Sequence, residues 1–122
     1  MRRFVALVAV FCAGVVTGVL GLLATSREPL AWLTIVNRSS QTLKSVCVAE
    51  DRWNSRYCVD GPLEPGASEK TPVIARGEVG YSVAVEFANG TQLQREFYAE
   101  TGYRVEHVVS DSEISYNPSV SY

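Results

Sequence analysis

Two cysteines, Cys47 and Cys58, bracket the polar stretch "VAEDRWNSRY", and this arrangement narrows the fold more than any other feature of the chain. A zinc site needs about four ligands, whereas the chain has one histidine, His107, and one further cysteine, Cys12. A thioredoxin-like redox pair stands two residues apart at a helix start, which this spacing does not imitate. A disulfide across two antiparallel strands fits the whole segment. Pairing Cys47 with Cys58 sets Val48 opposite Tyr57 and Val46 opposite Val59, so these four share the face away from the disulfide. Glu50 then meets Ser55, and Asp51-Arg52-Trp53-Asn54 is left as a four-residue loop. The register is expected to bury Val46, Val48, Tyr57 and Val59 and to display Arg52 and Trp53 at the tip.

A disulfide presupposes an oxidising compartment, and the N-terminal sequence supplies the export. Phe4–Ala24 is uncharged, with Thr17 as its only hydroxyl. A helix of that length crosses a hydrocarbon core, which takes about 20 residues. Residues 1–25 are read as a signal anchor, with cleavage after Ala24 as the alternative, although Leu22 is large for a cleavage site. Arg2 and Arg3 favour a cytoplasmic N-terminus and an extracytoplasmic domain, periplasmic or at the cell surface. Cys12 follows Phe11 in mid-run, unlike a lipidation site. Gly14 and Gly18 have the spacing of a helix-dimer face, a possible route to a homodimer.

From Ser26 onward the chain carries all 13 of its Asp/Glu but not all of its 11 Lys/Arg, and is net acidic. Nucleic acid and anionic lipid surfaces call for clustered basic charge, so composition argues against binding to either. Past Pro29 the periodicity turns to two, and Val, Ile, Thr, Tyr and Phe recur in short runs between turn signals. "LAWLTIVN", "LKSVCVAE" and "SRYCVDG" read as strands. Pro65-Gly66 suits a type II turn, and "TPVIA", with its proline, reads as an edge strand. In "YSVAVEFANGTQLQREFY" a two-residue turn would mix the faces. A three-residue loop, Ala88-Asn89-Gly90, instead pairs Val85 with Leu93 and Tyr81 with Phe97 and puts Gly90 in the left-handed position. "YRVEHVVSD" is a further strand, and "EISY" a short last one. The pattern predicts an all-β fold, a small antiparallel β-sandwich of immunoglobulin-like type with about seven strands, over residues 26–116. Residues 117–122 are expected as a loose tail.

Few residues suggest chemistry. His107 has no partner at a telling spacing and reads as a structural strand histidine. The carboxylates are scattered, and no nucleophile elbow, zinc-protease motif or phosphate-cradling loop occurs. No catalytic residue, metal site or cofactor is expected. Asn37-Arg38-Ser39 and Asn89-Gly90-Thr91 match a glycosylation sequon, which matters only in a eukaryotic secretory pathway. Trp32 follows the apolar run closely and reads as core or membrane-interface. Trp53 and Arg52 are residue types enriched at interface hot spots, and a stapled hairpin presents them at little ordering cost. The expectation is a membrane-anchored, extracytoplasmic protein-binding module with Arg52, Trp53 and Asn54 as binding residues. It would serve as an accessory subunit of an envelope complex or as an immunity or inhibitor protein. A cell-envelope hydrolase using scattered carboxylates and a structural spacer without a partner are the alternatives.

Overall fold

The computed structural model describes residues 30–52 and 54–120. The expected membrane segment 4–24, its Gly14 and Gly18, and Trp53 lie outside the described residues. Eight strands follow in chain order: β1 (Leu30–Asn37), β2 (Leu43–Glu50), β3 (Ser55–Cys58), β4 (Ser68–Ile74), β5 (Glu78–Phe87), β6 (Gln92–Glu100), β7 (Tyr103–Val109) and β8 (Asn117–Val120). They form two four-stranded sheets, ordered β4-β1-β7-β8 and β3-β2-β5-β6. Period-two alternation sends every second side chain inward. β5 buries Val79, Tyr81, Val83, Val85 and Phe87, and β1 buries Ala31, Leu33 and Ile35. Each large apolar side chain so buried stabilises by about 1.5–3 kcal/mol.

Both hairpin registers read from the sequence are present. Cys47 pairs with Cys58, Val48 with Tyr57 and Glu50 with Ser55. Tyr81 pairs with Phe97 and Val85 with Leu93, while Gly90 closes the three-residue loop at φ 88°. Pro72 sits in β4, an edge strand paired only to β1.

Five expectations are corrected. The sandwich is not purely antiparallel, because β1 and β7 run parallel through six residue pairs from Trp32↔Arg104 to Asn37↔Val109. The strand order is not that of an immunoglobulin domain, where the second and third strands lie in different sheets. Here β2 and β3 lie side by side, joined by the Cys47↔Cys58 register. The segment 117–122, expected as a tail, supplies β8, which pairs Asn117–Val120 antiparallel to β7. "EISY" gives a single bridge, Val109↔Ile114, in place of a strand. Tyr57, expected in the core, is 47 % exposed because β3 is the outermost strand of its sheet.

The chain changes sheets between β1 and β2, and one side chain holds that arch. Asn37 is fully buried. Its Nδ2 donates to the carbonyls of Gln41 and Leu63, both at 2.9 Å. Its Oδ1 accepts from Ser39 N at 3.0 Å and Ser39 Oγ at 2.7 Å. All four hydrogen-bonding positions of the amide are therefore used, as burial of such a group demands. The arch lies with the 88–90 turn and the 110–113 loop at one pole: Asn89 N donates to Gln41 Oε1, and Ser40 N and Oγ both donate to Asp111 Oδ1. Those two bonds hold the exposed Asp111 carboxyl below its ordinary range.

Candidate functional site

The opposite pole gathers the start of β1, the β2–β3 hairpin tip and the β4–β5 and β6–β7 turns. Leu30 pairs with Ile74, and Gly102 N donates to Leu30 O at 3.0 Å. Gly77 N donates to Thr101 Oγ1, whose hydroxyl donates in turn to Ala75 O. Glu50, the last residue of β2, crosses to the other sheet and accepts from Ile74 N at 2.8 Å through Oε1. The carboxyl is buried, and its Oε2 has no partner among the described residues.

The tip is docked at its base. Asp51 N donates to Gly80 O at 3.3 Å, and Arg52 Nη1 reaches Arg76 O at 3.4 Å. Asn54 has φ 48°, a left-handed conformation that asparagine tolerates better than most residues. Gly80 leaves room for this docking, since a Cβ there would meet Asp51 Oδ2 at 3.3 Å. Between tip and turn opens a cleft of about 700 Å³, lined by Asp51, Arg52, Arg76, Gly77, Glu78 and Gly80. Two guanidinium and two carboxyl side chains on an open wall suit a polar, charge-bearing partner surface.

Of the residues expected at the site, Arg52 and Asn54 are exposed at the tip and Trp53 lies outside the described residues. Cys47 and Cys58 are bonded, with Cα atoms 4.0 Å apart. Their bridge lies on the outer face of its sheet. Beside it a second depression of about 420 Å³ is lined by Ser45, Arg56, Ala84, Glu86 and Gln94.

A buried polar pair in the core was not foreseen in the sequence. His107 is fully buried, and its Nδ1 lies 2.9 Å from Ser115 O. A carbonyl only accepts, so Nδ1 carries the proton and Nε2 accepts from the Tyr81 hydroxyl at 2.8 Å. Phe97 packs 4.3 Å from the imidazole, centroid to centroid, and stacks on Tyr116 at 5.5 Å. Burial drives the imidazole below its ordinary range; the Ser115 hydrogen bond opposes this and the Arg95 charge adds to it. Burial likewise pushes the Tyr81 phenol well above its ordinary value, with a smaller contribution from Tyr116. Both groups are held neutral. The two sequons also separate: Asn37 is spent in the core, whereas Asn89 is exposed and its Oδ1 accepts from Thr91 N at 2.9 Å.

No protein-family model matches the chain, and no curated protein matches it. Among solved structures it is similar to one titled "NMR structure of the protein from Eubacterium rectale", with TM-score 0.58 and 14 % sequence identity. The match covers 79 % of this chain and 92 % of that one, a likeness of fold alone.

Proposed function

We propose that the chain is a membrane-anchored, extracytoplasmic protein-binding module that grips its partner with Arg52, Trp53 and Asn54, as an accessory subunit of an envelope complex. The observation that carries this reading is the way the tip is held. The disulfide fixes the two strands below it, and the Asp51 N–Gly80 O bond holds its base against β5. A partner therefore meets groups whose ordering cost was met on folding, which favours affinity. The Arg52 side chain has only a long backbone contact in the free protein and stays available for a carboxylate, its preferred bidentate partner.

The test places a photo-crosslinking residue at Asn54 of the full chain in its native membrane. One partner is expected in the crosslink, lost with R52A and absent when the probe sits at Asn89 on the far pole. Equal capture from both positions, or capture indifferent to R52A, refutes the tip as the binding surface.

A further inference from the structure

We infer that the outer face of the β4–β1 edge, formed by Leu30, Trp32, Pro72 and Ile74 with Lys70 and Arg104 beside them, rests on the anionic headgroup interface of the membrane in which residues 4–24 are anchored. The inference rests on the anchor reading and adds a second, non-covalent contact to it. Leu30 pairs with Ile74 and Trp32 with Pro72. These two cross-strand pairs are neighbours on the face turned away from the core. Trp32 is 37 % and Ile74 43 % exposed, which puts two of the four exposed large apolar residues among the described ones in this one patch. Two cations stand against it, with Glu106 one step further along the same face, opposite Thr34. Lys70 Nζ sits 4.8 Å from the centre of the Trp32 ring, and Arg104 is the β7 residue paired with Trp32.

Length and charge select a lipid surface as the occupant. The apolar run ends at Ala24, so even fully extended the intervening residues let Leu30 stand at most about 21 Å from it. Tryptophan with an apolar body and a polar edge favours the membrane–water boundary. Lysine and arginine beside it gain from anionic headgroups, by an effect confined to about a Debye length. The domain is net acidic as a whole, yet the two cations nearest the patch are unpaired among the described residues, where the one ion pair is Lys44–Glu86. The patch thus has the sign and the apolarity of an interfacial contact, and it lies where the tether delivers it.

The full chain carrying W53F, which leaves Trp32 as its only tryptophan, is reconstituted into phosphatidylglycerol–phosphatidylcholine vesicles with acyl chains brominated near the headgroups. Trp32 emission is expected to be blue-shifted and largely quenched relative to unbrominated vesicles. In the same background I74D, at an exposed position, is expected to restore most of the emission. A chain that floats with the vesicles but shows no Trp32 quenching overturns the contact and leaves the anchor standing; the patch then faces water or a protein. Quenching unchanged by I74D also overturns it, because the tether alone would then set the depth of Trp32. A chain that stays with the soluble fraction overturns the anchor and the contact together. Protease resistance of the disulfide-bonded domain, measured in each variant, separates these outcomes from misfolding.

Discussion

Acidification should destabilise this domain through one residue. His107 is the chain's single histidine, so between pH 7.5 and 5.5 no other side chain of ordinary pKa titrates. In the folded state burial holds its pKa below the ordinary value of about 6.5, while the unfolded imidazole takes up its proton near that value. The unfolded chain therefore binds more protons in this window, and stability falls as pH falls. The contribution is full well above the unfolded value and is lost progressively below it, down to the folded value. The loss between pH 7.5 and 5.5 has a ceiling of about 1.4 kcal/mol, one proton per pH unit. In a domain of this size that is roughly 5–10 °C in Tm. The geometry explains why protonation is resisted: Nε2 is committed to accepting from Tyr81, and a proton there would force that hydroxyl to turn. Urea midpoints of the detergent-solubilised chain, measured at both pH values for wild type and H107Q, provide the assay. H107Q is expected to start lower and to be nearly flat across the window. A wild-type midpoint indifferent to pH, or a fall that H107Q retains in full, refutes the assignment.

Two further changes probe the scaffold. N37A removes all four hydrogen bonds of the buried amide and leaves Ser39 N without its acceptor, while Leu63 O keeps Leu43 N and Gln41 O keeps Ser39 Oγ. At about 0.5–1.5 kcal/mol per bond lost it should lower the stability read from urea unfolding by about 2 kcal/mol or more. A loss within error of a surface substitution would show that the arch is held elsewhere. Opening the Cys47–Cys58 loop with the C47A/C58A pair should cost about 3 kcal/mol by loop entropy, read as the gap between its midpoint and that of the oxidised wild type. Equal midpoints would mean that the β2–β3 register is fixed without the bond.

What the sequence disclosed divides by distance along the chain. Alternation and turn chemistry are local signals, so the Cys47↔Cys58 and Tyr81↔Phe97 registers and the edge position of Pro72 were legible. The immunoglobulin-like order was at odds with the β2–β3 hairpin that the same residues predict, since the Cys47↔Cys58 register sets the second and third strands side by side in one sheet. Tyr57 was misplaced because alternation tells which face a side chain takes and is silent on whether the opposing sheet covers it. The His107–Tyr81 and Asn37–Leu63 contacts each span 26 residues. No spacing rule reaches that far, and the Asn37 sequon pointed away from the buried role its amide plays. At the site, Arg52 and Asn54 were legible as a tip, while the cleft beside them needs Arg76 and Glu78 from a turn that only the fold brings near.

That long-range placement bears on which partner the tip can meet. The tip, the β4–β5 turn and the start of β1 share one pole, joined by Glu50 to Ile74 and Arg52 to Arg76. β5, ten residues long, separates that pole from the Asn37 arch by about 30 Å at roughly 3.3 Å per residue. With residues 4–24 in a bilayer, the short tether keeps the tip's pole closer to the membrane than the Asn37 arch. An inhibitor of a freely diffusing enzyme would gain by presenting its binding loop at the outer pole, where approach is open on every side. A loop held near the headgroups meets membrane-bound proteins, and confinement to the same surface raises their effective concentration at Arg52 without any new contact. That geometry is the reason the proposal favours an accessory subunit over an inhibitor. A photo-crosslinked partner that proves soluble and unanchored would contradict it even if Arg52 is essential for the contact.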